Sequence, residues 1–200
     1  MTDTHFAFDL DGTITSQELL PLIALHLDLM EEMKLLTRLT MDGTIAFEES
    51  FRLRCAILQS VPITVVQEIV AEAELDPDIE AFIIQNRDRC SVVTGNLDVW
   101  IRPIAERLGC QFYSSIARVS GNLISRVEMV LHKSKAVHEI KRRASRVVGI
   151  GDGANDVPMF EAADMGIAFG GVHAPAPMLA DISDYIVFEG GALCRLLRTL

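Results

Sequence analysis

Positive charge is scarce in this sequence. Its 18 lysines and arginines stand against 28 aspartates and glutamates, a formal net charge of −10. Binding to nucleic acid is driven by clustered Lys and Arg, so the acidic balance argues against a nucleic-acid partner. The one dense basic run, Lys141-Arg142-Arg143 with Arg146 close by, reads as a solvated helix end favoured by the dipole. Cysteine is sparse as well. The four residues, Cys55, Cys90, Cys110 and Cys194, show no close pairing, which points to a reduced, cytoplasmic protein. No apolar stretch reaches membrane-spanning length, and no basic region followed by a long apolar run opens the chain. Neither a membrane partner nor a signal peptide is therefore expected. Internal repeats and low-complexity tracts are missing too. What is present is an apolar fraction of 50% over 200 residues, ample core for one domain or for one domain carrying an insert.

The chain is organised around Phe6-Ala7-Phe8-Asp9-Leu10-Asp11-Gly12-Thr13-Ile14. Apolar residues at Phe6, Phe8 and Leu10 fit a strand in a run too short for a helix. Gly12 breaks it, placing Asp9 and Asp11 at the strand's C-terminal end, the edge where open parallel sheets bind ligands. A turn at Gly12 can then hold both carboxylates at the border of one site. Such a pair suits a Mg²⁺ site with few protein ligands, where one carboxylate also attacks and the other moves protons. An EF-hand calcium loop is excluded, because Thr13 and Ile14 occupy the places where it needs a carboxylate and a glycine. Downstream, Val147-Val148-Gly149-Ile150-Gly151-Asp152-Gly153-Ala154-Asn155-Asp156 repeats the design of an apolar strand running into glycines and carboxylates.

Between these tracts the periodicity changes. Leu19, Leu22, Ile23, Leu27 and Met30 follow helical spacing, with Thr15 and Glu18 forming a capping box. Further helices are predicted from Glu31 to Met41, along the face of Phe47, Phe51, Cys55 and Leu58, and from a Thr64/Gln67 cap to about Leu75. Residues 15–75 thus read as an all-helical insert between residues 1–14 and 76–200. From Asp76 strands and helices alternate: helix from Asp78 to Arg87, strand 90–94, helix from Leu97 to Leu108, a hairpin around Ser120-Gly121-Asn122, and a helix capped by Ser134 running to about Ala144. The strand into Asp152, a helix near Val157, strands 165–169 and 185–188 and a last helix follow. The fold class is α/β, a Rossmann-like parallel sheet sandwiched by helices.

With Asp9, Asp11 and Thr13, then Thr94, then Lys133, then Asp152 to Asp156 in order, the chain resembles the haloacid dehalogenase superfamily of phosphotransferases, and its helical insert resembles the cap of the phosphoserine phosphatase branch. The resemblance implies an Mg²⁺-dependent phosphomonoester hydrolase. Asp9 is then the nucleophile that forms an aspartyl-phosphate, and Asp11 the general acid and base. The Mg²⁺ ligands are Asp9, Asp152 and the backbone carbonyl of Asp11. Thr94, Gly95 and Lys133 take the phosphoryl group, and Asn155 and Asp156 order the site. Lys135 is a rival to Lys133, which is favoured for lying just before Ser134. In the cap, the resemblance gives Glu18 the substrate amino group and Arg54 its carboxylate, with Met41 and Phe47 lining the pocket. Read without the family, Glu18 is a capping residue and Arg54 a snorkelling or salt-bridged side chain. His132, His138 and His173 receive no role.

The substrate implied is a small phosphorylated metabolite, O-phosphoserine first. Alternatives are another small phosphate, transfer to an alcohol acceptor, or a binding module without turnover. The chain also departs from its relatives: where the phosphoserine enzymes carry Ser-Gly-Gly it has Thr94-Gly95-Asn96, and the segments from Thr94 to Lys133 and around Asp76 are short.

Overall fold

The structure, a computed structural model, describes residues 4–41 and 44–200, apart from the side chains of Thr37, Thr40, Met41 and Phe47. In chain order the elements are β1 (Thr4–Phe8), α1 (Leu19–His26), α2 (Met30–Met41), α3 (Phe47–Leu58), α4 (Ile63–Ala71), α5 (Pro77–Gln85), β2 (Cys90–Leu97), α6 (Arg102–Leu108), β3 (Gln111–Ser120), β4 (Leu123–Met129), α7 (Lys133–Ile140), β5 (Arg146–Gly151), α8 (Val157–Ala162), β6 (Met165–Phe169), α9 (Pro177–Ala180), β7 (Tyr185–Val187) and α10 (Gly190–Leu197).

One seven-stranded sheet has the order β4-β3-β2-β1-β5-β6-β7. All neighbours run parallel except β3 and β4, the predicted hairpin. β1 lies between β2 and β5, so it is central and buried along its length. Its alternating side chains serve two cores. Phe6 and Phe8 pack with Ile79 and Phe82 of α5 and with Leu193 and Leu197 of α10. Ala7 faces the other way, toward Ala136 and Val137 of α7 and Met159 and Phe160 of α8. The Phe6 and Phe82 rings meet edge to face at 5.5 Å, a contact worth about 0.5–1.5 kcal/mol beyond area burial. Helices on both faces of a parallel sheet give the expected Rossmann-like sandwich.

Strand connections reverse direction at β1: the chain steps from β1 to β2 and β3 on one side and from β5 to β7 on the other. The crevice for a ligand in such a sheet opens between the C-terminal ends of the two strands at the reversal, here β1 and β5. Those are the strands that end in Asp9 and Asp152.

All four helices α1–α4 lie between β1 and β2 in sequence. The chain leaves and returns side by side: Thr15 bridges Leu75, Ser16 N–H donates to Glu74 O (2.9 Å), and Asp76 N–H donates to Ile14 O (2.8 Å). Asp76 then accepts from the amides of Asp78 and Ile79 to cap α5.

Several local expectations need correction. The Thr15/Glu18 capping box does not form. The Thr15 hydroxyl instead bonds Leu10 O and Gln17 O within the turn, and Leu19 N–H at the start of α1 donates to Asp11 Oδ1 (2.8 Å). The Thr64/Gln67 cap is replaced by the hairpin tip: Asn122 O accepts from Ile63 N–H and Asn122 Oδ1 from Thr64 N–H. Ser134 is not a cap, because α7 begins one residue earlier at Lys133; its hydroxyl pairs with His132 Nδ1. α7 also stops at Ile140, short of Ala144. The helix expected from Leu97 starts only at Arg102, since Leu97 still belongs to β2 and pairs with Ser115, and Pro103 sits in the helix's first turn. Tertiary partners and turn chemistry override local signals at each of these places.

Candidate active site

The turn after β1 begins with Asp9, whose N–H continues the ladder to Ile150 O (2.8 Å). Ile14 and Thr15 fold back onto Leu10 O, with Gly12 at φ +69°. A left-handed conformation suits glycine. Space demands it as well, since a Cβ here would lie 2.7 Å from Asp152 Oδ2. The two acidic turns thus close on each other, and Thr13 Oγ1 donates to Asp152 Oδ1 (2.8 Å).

Lys133, the first residue of α7, is buried between two carboxylates. Its Nζ lies 2.6 Å from Asp9 Oδ1 and 2.5 Å from Asp156 Oδ1. Lys135 is exposed. Asp156 Oδ2 accepts the amides of Asp152 (3.1 Å) and Gly153 (3.0 Å). Three donors therefore hold Asp156, while Asp9 and Asp152 keep acceptor positions open. Asn155 is exposed, with Oδ1 lying against Gly153.

β2 contributes the residues facing this cluster. Its pairing with β3 shifts register between Val93 and Leu97, and Thr94, Gly95 and Asn96 occupy that irregularity. Bulges of this kind re-aim side chains beside active sites. The Asn96 amide donates both to Asp11 Oδ2 and to Thr94 Oγ1. Gly95 O accepts from Ser115 Oγ at 2.7 Å, which ties the bulge to β3.

Four carboxylates share this space with one lysine, and their electrostatics follow. Burial raises the Asp9 carboxyl well above its usual range, Asp156 adds to this, and Lys133 opposes it. Burial raises Asp11 too, against the Leu19 amide, Lys133 and Asn96. Asp152 is pushed up to about 6 by burial and by Asp156. For Lys133, burial alone lowers the pKa, but Asp156 and Asp9 outweigh it and hold the ammonium charged. Asp9, Asp152 and Asp156 each bring an oxygen within 4.8 Å of the others. A buried, oxygen-only donor set with excess negative charge fits a hard divalent cation.

Glu18 lies near enough to Arg54 for its charge to act on the guanidinium. Burial pushes Glu18 up to about 7, and Asp11 and Asp152 add to it, although half of its side chain reaches solvent. Burial lowers the pKa of Arg54, and Glu18 opposes that shift. Glu18 makes no side-chain cap on α1, so its capping reading is removed. The side chains of Met41 and Phe47 lie outside the described residues.

His173 is the residue that sequence reasoning missed. Its Nε2 lies 3.0 Å from Asp152 Oδ2 and 4.0 Å from Glu18 Oε1. The loop carrying it is pulled onto the end of β5 by Ala176 N–H donating to Asp152 O (2.9 Å). No periodicity or motif signals this contact, because it depends on how a loop folds back onto the end of β5.

A family profile described as haloacid dehalogenase-like hydrolase matches residues 6–161. The phosphoserine phosphatase of Methanocaldococcus jannaschii is 31% identical over 193 residues, covering 90% of each chain. Phosphoserine phosphatase SerB2 of Mycobacterium tuberculosis is 31% identical over 196 residues, covering 92% of this chain but 47% of that protein, so the chain spans about half of that relative's length. A solved phospho-aspartyl intermediate analogue of phosphoserine phosphatase superposes with a TM-score of 0.81 at 26% identity, with both chains covered in full.

Proposed function

We propose that this chain, a member of the haloacid dehalogenase-like hydrolase family and, with its phosphoserine phosphatase relatives, a phosphoric monoester hydrolase, hydrolyses O-phosphoserine with Mg²⁺ by way of an aspartyl-phosphate on Asp9. The observation that carries this reading is the convergence, at the reversal point of the sheet, of Asp9, Lys133 and Asp156 from β1, α7 and the turn after β5.

Asp9, Asp152 and the backbone carbonyl of Asp11 are the residues assigned to Mg²⁺, which when bound offsets repulsion between a carboxylate and an anionic phosphate. Asp156 has its oxygens committed to Lys133 and two amides, which supports a positioning role. Lys133, Thr94 and Gly95 receive the phosphoryl oxygens, where charge accumulates in the transition state. An Asp9 oxygen attacks phosphorus and the ester P–O bond breaks. Asp11 gives its proton to the departing serine oxygen. Water then attacks the phosphorus of the aspartyl-phosphate, Asp11 takes a proton from it, and inorganic phosphate leaves with Asp9 regenerated.

Glu18 and Arg54 supply the selectivity. A carboxylate for the ammonium group and a guanidinium for the carboxylate select a zwitterion bearing a phosphate. Residues 15–75 act as a cap over the core of residues 1–14 and 76–200, with Met41 and Phe47 assigned to its pocket lining. Closing the cap brings both charged groups over the substrate and excludes water. Among the described residues no single helix is long and apolar enough to cross a membrane, and the four cysteines are thiols. Both support a cytoplasmic enzyme.

The test is a panel of phosphorylated metabolites assayed with Mg²⁺, with and without an alcohol acceptor. Phosphoserine is expected to be hydrolysed best. Better cleavage of another small phosphate overturns the substrate, dominant transfer to the acceptor overturns hydrolysis, and no turnover of any phosphate overturns the enzyme.

A further inference from the structure

Asn96 is 5% exposed and sits between the two residues that the proposed mechanism uses for different tasks. Its side-chain amide donates one hydrogen to Asp11 Oδ2 and the other to Thr94 Oγ1 (3.2 Å). Its backbone N–H donates to the same Thr94 oxygen (3.1 Å). In the ionised form, in which Asp11 takes a proton from water, the carboxylate accepts only and the NH₂ end of the amide faces it.

The hydrogen count at Thr94 has a consequence. A hydroxyl carries one donor and two acceptor positions. Both acceptor positions of the buried Thr94 oxygen are taken by Asn96, so its hydrogen must point away from Asn96, available to an acceptor in the site. At Asp11 the two oxygens are claimed from opposite sides. Leu19 N–H holds Oδ1 from the start of α1, and Asn96 holds Oδ2 from β2. The carboxylate is thereby fixed between the helical segment and the sheet.

We propose that Asn96 is a positioning residue that presets two groups at once: it turns the Thr94 hydroxyl into an obligate donor for the phosphoryl group, and it holds the Asp11 carboxylate in place for proton transfer. Neither group alone accounts for an asparagine here, since a single donor would serve Asp11 and a serine would serve Thr94. This inference rests on the roles assigned above to Asp11 and Thr94.

Two double-mutant cycles test it. The first measures kcat for phosphoserine in N96A, D11N and the double variant. The second measures inhibition by inorganic phosphate with Mg²⁺ present in N96A, T94A and the double variant. Losing one oriented hydrogen bond in a buried site should raise the phosphate inhibition constant roughly five- to tenfold in N96A, and kcat should fall roughly 10- to 10²-fold. Groups acting as one unit are non-additive, so N96A should lower kcat by less in the D11N background than in wild type, the remainder being the Thr94 share, and should not weaken phosphate further once Thr94 is alanine. N96D keeps the volume but replaces the donor by an acceptor, and should be impaired at least as much. It also serves if N96A unfolds, which thermal unfolding of each variant reports. Wild-type kcat and phosphate inhibition in N96A or N96D overturn the proposal. So do losses that multiply in full in both cycles, the pattern of a merely structural residue. Should D11N or T94A themselves leave kcat and phosphate inhibition unchanged, the fault lies with the roles given to those residues, and Asn96 then has nothing to position.

Discussion

Gly12→Ala separates the cost of a strained turn from the cost of a displaced carboxylate. Gly12 has φ +69°, and an alanine held in that region costs about 1–2 kcal/mol. For a chain of this size that corresponds to a melting point lower by roughly 2–8 °C. The new Cβ would lie 2.7 Å from Asp152 Oδ2, where ordinary contact begins at 3.4 Å, so the carboxylate must retreat by about 0.7 Å. Misplacing a reacting group by about 1 Å can cost about 10²-fold, so kcat should fall roughly 10- to 10²-fold, with a higher Mg²⁺ requirement. Gly121→Ala is the control. Gly121 has φ +60° but nothing within 4 Å of a Cβ, so it should show the same order of stability loss with unchanged kcat. Thermal unfolding and phosphoserine hydrolysis across an Mg²⁺ titration read both. A Gly12→Ala enzyme that loses stability but keeps wild-type kcat and Mg²⁺ dependence refutes the reasoning that close packing positions Asp152.

Arg54→Ala should lower kcat/KM for phosphoserine by roughly 30- to 10³-fold, because a buried charge loses its partner, while p-nitrophenyl phosphate, which has no carboxylate, should change far less; equal losses on both substrates make Arg54 structural. Asp9→Asn should abolish hydrolysis and Asp11→Asn should reduce it by about 10²–10⁴-fold, and near-normal rates in Asp9→Asn exclude the covalent route. Chelation should remove activity and added Mg²⁺ restore it; full activity after exhaustive chelation contradicts the metal assignment. Folding raises Glu18 from 4.5 to about 7, so its contribution to stability is complete below 4.5 and disappears as pH rises through 7. Metal-free Glu18→Gln should therefore match wild type near pH 4 and become the more stable protein by pH 8, and a difference that shrinks over that range refutes the shift.

Sequence alone reaches far in this chain where a signal is local. The strand ending in Asp9 and Asp11, the second acidic strand end and the hairpin around Gly121 all stand where the pattern puts them, because each joins an apolar or alternating run to a glycine turn. Ser134, Thr64 and the Thr15/Glu18 pair mislead for the opposite reason. Their partners are chosen by tertiary contacts, and Asn122 reaches α4 from 58 positions away. Lys133 is distinguished from Lys135 only by burial between two carboxylates. His173 belongs to no pattern and meets Asp152 through the fold of its loop. The double engagement of Asn96 is likewise invisible until β2 shifts register and aims its amide at Asp11.

The paired crossing at Thr15 and Leu75 has a consequence for how such a molecule can be altered. Because the outgoing and returning chains are hydrogen bonded to each other, the sheet meets residues 16–74 as one closed appendage whose ends already touch. The entropy of closing a loop grows only slowly with its length, so the length of the appendage alone adds little to the cost of folding the sheet, provided its contacts to Asn122 and the shared core are kept. A short turn from Ile14 to Asp76 would leave β1, β2 and β5 in register but would remove the Leu19 amide that holds Asp11. Lengthening, shortening or exchanging the appendage beyond Leu19, whose amide holds Asp11, is then a route to new substrates in which the reacting groups keep their geometry.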